Sequence, residues 1–447
     1  MNHYRQRAFC LALVCLTGAI IACNAESGES DKIPMATHPP AVTQTTAETA
    51  ALPPPTTSGE VDKWALWTGD TQLRGANVYQ RRVYPELDGP DFMGYGSVGP
   101  PYTQTDFDRL AALGANYVNI SHPSLFAENP PYALDEDIQD NLDDLLNKIA
   151  QAHMFAAISF RTGPGRSEFT FFWGEEGDWF DESYFNDAVW QEQAAQDGWA
   201  AMWRYTAERY RGNPIVVGYD LMVEPNANEM GMGPDIWDPA EFHADYGGSL
   251  YDWNQLYPRI TAAIRQMDAD TPILIGGMGY SGVEWLPYLE PTGDPRTVYT
   301  VHQYEPHQYT HQELGLLGRL EYTYPGEFDT NWDGSDDQFN HVWLDELLST
   351  IDDFVAEHDA PVAVNEFGVV RWEPGAAQFM DDQIGLFEQR GMNHALWVWE
   401  TSWDEYAEEV DAFNFRHGPD PNEHAGVESS DLMDVIVKYW GRNTARP

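Results

Sequence analysis

Eight short apolar runs alternate with longer amphipathic stretches over most of the chain, and this alternation constrains the fold more than any other feature of the sequence. The runs fall at 73–79, 117–121, 155–160, 215–222, 273–275, 298–304, 361–367 and 394–399. Their length suits strands buried on both faces. Helix-period stretches lie near 105–113, 134–152, 189–210, 251–267, 283–289, 342–357 and 376–389, with 432–440 closing the chain. Strand followed by helix, eight times over, predicts an α/β chain closed into a parallel (β/α)8 TIM barrel. A doubly wound open sheet is the alternative, but no Gly-rich phosphate loop follows the first run. No internal repeat and no second linker divides residues 61–447, so one catalytic domain with decorated loops is expected there.

The preceding residues read as an address. Arg5 and Arg7 supply a positive start, and an apolar run at 8–21 ends in Ile20-Ile21-Ala22-Cys23. That ending resembles the lipobox of bacterial lipoproteins, which implies removal of residues 1–22 and lipidation of Cys23. Asn24 rather than Asp follows the cysteine, which by the same resemblance favours the outer membrane of a Gram-negative bacterium. Cys10 and Cys15 lie in the removed segment, so no internal disulfide is expected in the mature chain. Residues 23–60 are rich in Ser, Thr, Pro and Ala, without hydrophobic period, and read as a tether.

Charge excludes several function classes. Asp and Glu number 72 against 24 Lys and Arg, a net charge of −48. Nucleic-acid binding through phosphates needs a basic face that this chain lacks. With 17 Trp, 23 Tyr and 20 Phe the chain is also too rich in core-forming residues to be disordered throughout. Lysine occurs only at 32, 63, 148 and 438; an acid-rich, lysine-poor surface suits a salty habitat.

In a barrel of this kind, chemistry sits where strands end at the carboxyl side. The fourth run ends at Glu224 in Asp220-Leu-Met-Val-Glu224-Pro-Asn226, and the seventh at Glu366 in Val364-Asn-Glu366-Phe-Gly368. Period-two counting places Asp220, Met222 and Glu224 on one face, and Val362, Val364 and Glu366 on one face. Two carboxyls at a rim that excludes water are pushed to different pKa values, one suited to proton donation and one to attack. Such a pair flanking a glycosidic bond is what retaining hydrolysis requires.

The chain from Leu73-Arg-Gly-Ala-Asn77 to Trp397-Val-Trp399 resembles glycoside hydrolase family 5, the cellulases and mannanases of the retaining barrel clan. The resemblance implies Glu224 as acid/base and Glu366 as nucleophile, with His302 lining the sugar subsite and Tyr304 orienting the nucleophile. It implies Trp399 as the aromatic that stacks under the sugar. It further implies a β-glucan or β-mannan substrate, an endo-β-1,4-glucanase or mannanase-like activity, a monomer, and no required cofactor. A surface carbohydrate-binding protein that kept the barrel and lost turnover is the rival, and retention of both glutamates favours the enzyme.

The sequence departs from the family at three places. Val223 stands where the family has an Asn that reaches the sugar 2-hydroxyl, and Asn226 or Asn228 is the candidate substitute. Asn119 replaces an Arg on the second strand, and Arg161 a His at the end of the third. Arg161 either supplies positive charge near the nucleophile or is an exposed loop residue. Trp173 and Trp179, in the aromatic stretch that follows, either form outer sugar platforms or pack the loop. Glu229 is a second candidate acid. Asp329, Asn331, Asp333 and Asp337 alternate around Gly334 like the first half of a calcium loop, with Asn340 at the position of the usual bidentate Glu. A structural calcium or a solvated acidic loop both fit.

The charge yields a test. Raising ionic strength from 0.01 to 1 M shortens the screening length from about 30 Å to about 3 Å, which weakens self-repulsion and leaves the buried core untouched. The melting temperature is expected to rise from dilute buffer to molar NaCl; a monotonic fall would contradict the repulsion.

Overall fold

The computed structural model describes residues 62–172, 177, 179–228, 236–312, 320–403 and 410–447. The leader, the tether with Cys23, Trp173 and Glu229 lie outside these residues. Eight parallel strands close into a barrel: β1 (Arg74–Tyr79), β2 (Tyr117–His122), β3 (Phe155–Phe160), β4 (Val216–Asp220), β5 (Ile273–Gly276), β6 (Thr297–Gln303), β7 (Val362–Phe367) and β8 (His394–Leu396). Closure is made by β8 against β1, from Arg74↔His394 to Ala76↔Leu396. Every expected run contains a strand. Three strands stop short of expectation, β6 by one residue at Gln303, β4 at Asp220 rather than 222 and β8 at Leu396 rather than 399. Beyond the latter two points single bonds lead the chain over the rim, Val223 N to Phe160 O at 2.9 Å and Trp397 N to Phe367 O at 2.7 Å.

The outer layer holds α1 (Gln104–Ala112), α2 (Glu136–Gln151), α3 (Gln193–Tyr210), α4 (Trp253–Arg265), α5 (His341–His358), α6 (Ala376–Gln389) and α7 (Asp431–Trp440). Their apolar stripes face the sheet; α2, for example, buries Ile138, Leu142, Leu145, Leu146 and Ile149. Asn340 caps α5 by accepting from Val342 N and Trp343 N. The expected helix at 283–289 is instead a 3-10 turn, Val283–Tyr288, because Pro287 lacks the N–H that an α-helix would use. Among the described residues no helix is long and apolar enough to cross a membrane.

The barrel interior is filled in layers. Leu73, Tyr117, Phe155, Val217, Leu274 and Val298 pack at the amino-terminal end over Trp67, whose Nε1 donates to Val217 O at 2.8 Å. Above them lies a belt of buried polar side chains. Asn119 donates to Asn77 Oδ1 (2.7 Å), Ser159 donates to both Asn119 Oδ1 (2.5 Å) and Asp220 Oδ2 (3.1 Å), and Asn365 donates to Asp220 Oδ2 (2.6 Å). Asn119, at the position of the missing arginine, is therefore part of the barrel's floor.

The face assignment for β7 needs correction. Val364 pairs with Val301, but Glu366 pairs with His302, so Asn365 is an extra residue in a β-bulge. Val362 and Val364 face the helix layer, whereas Ala363 belongs to the interior cluster and Asn365 to the polar belt. The bulge then turns Glu366 inward as well. Simple alternation would have placed Glu366 among the helices.

Candidate active site

The carboxyl rim gathers three groups from three strands. Glu224 lies in the segment after β4, His302 near the end of β6 and Glu366 near the end of β7. A carboxylate oxygen of each glutamate and a nitrogen of His302 lie within 4.8 Å of one another. His302 Nδ1 is 3.0 Å from Glu224 Oε1 and 3.8 Å from Glu366 Oε2. Tyr304 donates its hydroxyl to Glu366 Oε1 at 2.7 Å.

Burial and charge divide the protons among these groups. Burial opposes the charge on His302, yet Glu366, Glu224 and Asp220 outweigh it and raise the imidazole to about 9. Burial pushes Glu366 up to about 7; the charge of Glu224 adds to the shift, while His302, Tyr304 and Arg161 oppose it. Burial also works to raise Glu224, but the bond to His302 and the charges of His302, Arg161 and Arg166 hold it below the ordinary carboxylate value. Beneath them burial raises Asp220 to about 6, against His302, Ser159 and Asn365. The two glutamates titrate as a pair that binds one proton near neutrality.

Glu224 has a left-handed backbone, φ 51°, which is unfavourable for a residue with a Cβ. Arg166 holds it there. This arginine is 1% exposed, and it donates from Nη1 to Val223 O at 2.7 Å and from Nη2 to Glu224 O at 2.8 Å. Its guanidinium lies 4.7 Å from the Phe171 ring centre. Nothing in the sequence marked Arg166, because it acts through the backbone of a segment nearly sixty positions away.

Arg161 is buried rather than exposed. Its Nε donates to Glu168 Oε1 at 2.7 Å, the oxygen that also accepts from Tyr79 at 2.8 Å. Its guanidinium covers Phe171 at 3.6 Å, and its charge favours the ionised form of both Glu224 and Glu366. Of its two readings, the structure selects positive charge beside the carboxylate pair.

Trp399 is not in the cleft. It is 1% exposed, donates from Nε1 to Asp106 O at 3.1 Å and lies under the Arg416 guanidinium, 4.1 Å from the ring centre. With β8 ending at Leu396, the half-buried Trp397 sits above the barrel, its ring 5.8 Å from Tyr79 and in one cluster with Tyr304. The strand-eight aromatic nearest the site is Trp397, two residues earlier than expected.

Asn226 and Asn228 are both buried and bound to their own loop: Asn226 Nδ2 donates to Asn228 O, Asn228 N donates to Asn226 Oδ1, and Ile236 N donates to Asn228 Oδ1. Asn228 Nδ2 is buried without a hydrogen-bond partner among the described residues, so of the two amides it keeps a free donor. Trp179 packs the loop, with ring centres of Phe169, Phe172 and Phe180 at 5.7, 5.3 and 4.8 Å.

The Asp329–Asp337 segment closes on itself. Asp329 accepts from the backbone N of Asn331, Asp333 and Gly334, Asn331 accepts from Asp333 N, and Asp333 accepts from Ser335 N. Thr330 donates to Asp337 Oδ2 at 2.5 Å. These turns hold the segment in shape through its own backbone, and they place Trp332 in the wall of the cleft beside Glu224.

A (β/α)8 barrel with a carboxylate pair at its carboxyl rim is the architecture of an enzyme whose site lies at that rim. Residues 80–402 match the cellulase family, glycosyl hydrolase family 5, and the chain belongs to that family. It is a glycoside hydrolase. It is 20% identical over 324 residues to endoglucanase C of Acetivibrio thermocellus, which covers 66% of this chain and 83% of the relative. With cellodextrinase A of Ruminococcus flavefaciens it shares 21% over 267 residues, 60% of this chain and 68% of the relative. Among solved structures, Thermotoga maritima Cel5A with cellobiose matches 84% of this chain and 100% of its own at 16% identity and a TM-score of 0.56. The same protein with mannotriose matches at 17% identity and 0.56. These structures share the fold.

Arg166→Lys removes the two-pronged grip on Val223 and Glu224 while keeping the charge. Bonds from charged groups contribute about 1.5–3 kcal/mol, so kcat on glycosides with poor leaving groups is expected to fall about ten-fold or more. Activated aryl glycosides, which need less proton donation, are expected to lose much less. An equal loss on both would assign Arg166 to general stability.

Proposed function

We propose that this glycoside hydrolase cleaves β-linked glucan- or mannan-type glycosides with retention, through a glycosyl-enzyme on Glu366. The observation that carries this reading is the approach of Glu224 and Glu366 oxygens to within 4.8 Å. Inverting enzymes keep their carboxyls about 6.5–9.5 Å apart to admit a water, and retaining enzymes about 5–5.5 Å apart. The names of the endoglucanase and cellodextrinase relatives support a β-glucan, and the mannotriose complex of a fold neighbour keeps mannan beside it.

In the proposed reaction Glu224 protonates the glycosidic oxygen as Glu366 attacks the anomeric carbon; Glu224 then takes a proton from water, which displaces Glu366. Arg161, His302 and Tyr304 stabilise the ionised nucleophile. Without substrate the proton of the pair favours Glu366, and the working state needs it on Glu224. His302 Nδ1 is the atom closest to both, and its protonated form is consistent with a pKa of about 9. Passing its proton to Glu224 and accepting one from Glu366 gives the working state with no change in total charge. We also propose that Cys23 carries the lipid anchor and that the tether holds the barrel off the outer membrane.

The pH dependence follows with its sign. The working state holds one proton on the glutamate pair and one on His302. Raising the pH through about 7 removes the pair's proton, so activity falls there. Lowering it through the depressed value of Glu224, below the ordinary 4.5, protonates both glutamates and stops attack. A profile of kcat/KM with its upper limb near neutrality is expected, and an upper limb near 9 would contradict it.

Glu366→Ala is expected to abolish hydrolysis while the barrel stays folded, and a mechanism-based fluoroglycoside should label Glu366. Labelling of another carboxylate, with Glu366→Ala still active, would refute the assignment. Glu224→Ala should impair poor leaving groups far more than activated ones and be rescued by azide.

A further inference from the structure

A cavity of about 290 Å³ opens beside the carboxylate pair, under the loops that follow β5 and β6. Glu224, His302 and Tyr304 line it, and Glu366 does not. A proton donor stands next to the leaving oxygen, whereas a nucleophile stands beneath the sugar it attacks. A space bounded by the donor alone lies on the side from which the leaving group departs.

The apolar part of the cavity wall is made by Trp237, Tyr280, Trp285, Trp332, Trp343 and Leu347. Trp237 and Tyr280 are nearly parallel, with ring centres 6.0 Å apart and 20° between planes. Trp343 and Leu347 are one turn apart on α5, and both present to the cavity. Trp332 comes from the self-closed loop, so four segments of chain supply one apolar wall.

A sugar in this space would need hydroxyl partners around its ring as well as a stacking face. Most of the polar groups here are already committed to holding the loops, Trp237 Nε1 being the exception among the described residues, and one donor does not serve a whole ring of hydroxyls. Gln308 Nε2 donates to Asp329 O at 2.8 Å, Thr330 donates to Asp337 and Asn331 accepts from Asp333 N at 3.0 Å. Glu284 and Glu305 also border the cavity, and their charge would repel an anion.

We propose that this cavity receives a neutral, apolar aglycone, an alkyl chain or an aromatic ring, so that the substrate is an amphiphilic β-glycoside and not a sugar chain running through the scissile bond in both directions. The proposal rests on the reading of Glu224 as proton donor. Apolar atoms leaving water for these rings gain binding free energy roughly in proportion to the area covered. That gain reaches the transition state if the chain remains seated while the bond breaks.

The test uses the full chain and three glycosides of the sugar it hydrolyses best: methyl, octyl and 2-phenylethyl, together with the matching oligosaccharide. These alcohols leave with similar intrinsic difficulty, so differences report the cavity. The expected result is a kcat/KM for the octyl or phenylethyl glycoside about ten-fold or more above the methyl glycoside, and above the oligosaccharide. The ratio of octyl to phenylethyl tells chain from ring. Trp332→Ala and, separately, Leu347→Ser should each bring the octyl-to-methyl ratio toward one. This ratio does not depend on the fraction of enzyme folded. Equal rates on octyl and methyl glycosides, with the oligosaccharide preferred and Glu224→Ala rescued by azide, would overturn the apolar aglycone and leave the proposed reaction standing. Hydrolysis of none of them would overturn both.

Discussion

A carboxylate buried inside the barrel organises what lies above it. Asp220 accepts from Ser159 and Asn365, and through them the belt extends to Asn119 and Asn77, so strands β1, β2, β3, β4 and β7 are tied across the interior. Most barrels fill this level with branched apolar side chains. A polar belt demands that each member find its partners, because an unpaired group there costs more than a bond gains. The geometry is consequently narrow. Asn365 faces inward by plain alternation with Ala363, and the bulge lets the next residue, Glu366, turn toward the cleft as well. The floor and the carboxylate above it thus come from neighbouring residues of one strand.

Electrostatics at the rim continues from that floor. Asp220 joins Glu224 and Glu366 in drawing a proton onto His302, and the resulting cation limits how far burial raises either glutamate. Arg161 and Arg166 add charge from the loop after β3, and both guanidiniums lie near the Phe171 ring. In a chain of net charge −48, the cations around the site are few and almost fully enclosed. They act at short range on the glutamates and contribute little to the field outside.

The barrel was legible from the alternation of apolar runs because buried parallel strands leave a continuous hydrophobic signal. The carboxylate pair was legible because strand ends are where such a fold does chemistry. The failures have common causes. Counting by twos missed the bulge in β7, since an inserted residue leaves no mark in composition. Two aromatics flank Val398, and the choice between Trp397 and Trp399 depended on where β8 ends, which is set by pairing with distant strands. Arg166 was invisible because it binds carbonyl oxygens, and every residue has one. The Asp329–Asp337 segment keeps both of its readings, because Asx turns and calcium loops draw on the same residues at similar spacing.

Trp67 closes the amino-terminal end of the barrel, and packed side chains fill the space from there to the polar belt. Among the described residues the site has a single mouth. In the two-step displacement proposed above, this would impose an order of traffic: the departing alcohol vacates the rim before water reaches the anomeric carbon, because packed side chains leave no rear entrance among the described residues. Any group that lingers in the aromatic-walled annex therefore delays the second step as well as ending the first. It also stands where another acceptor would have to stand. In that scheme the plug at one end of the barrel makes release at the other end a control point for turnover.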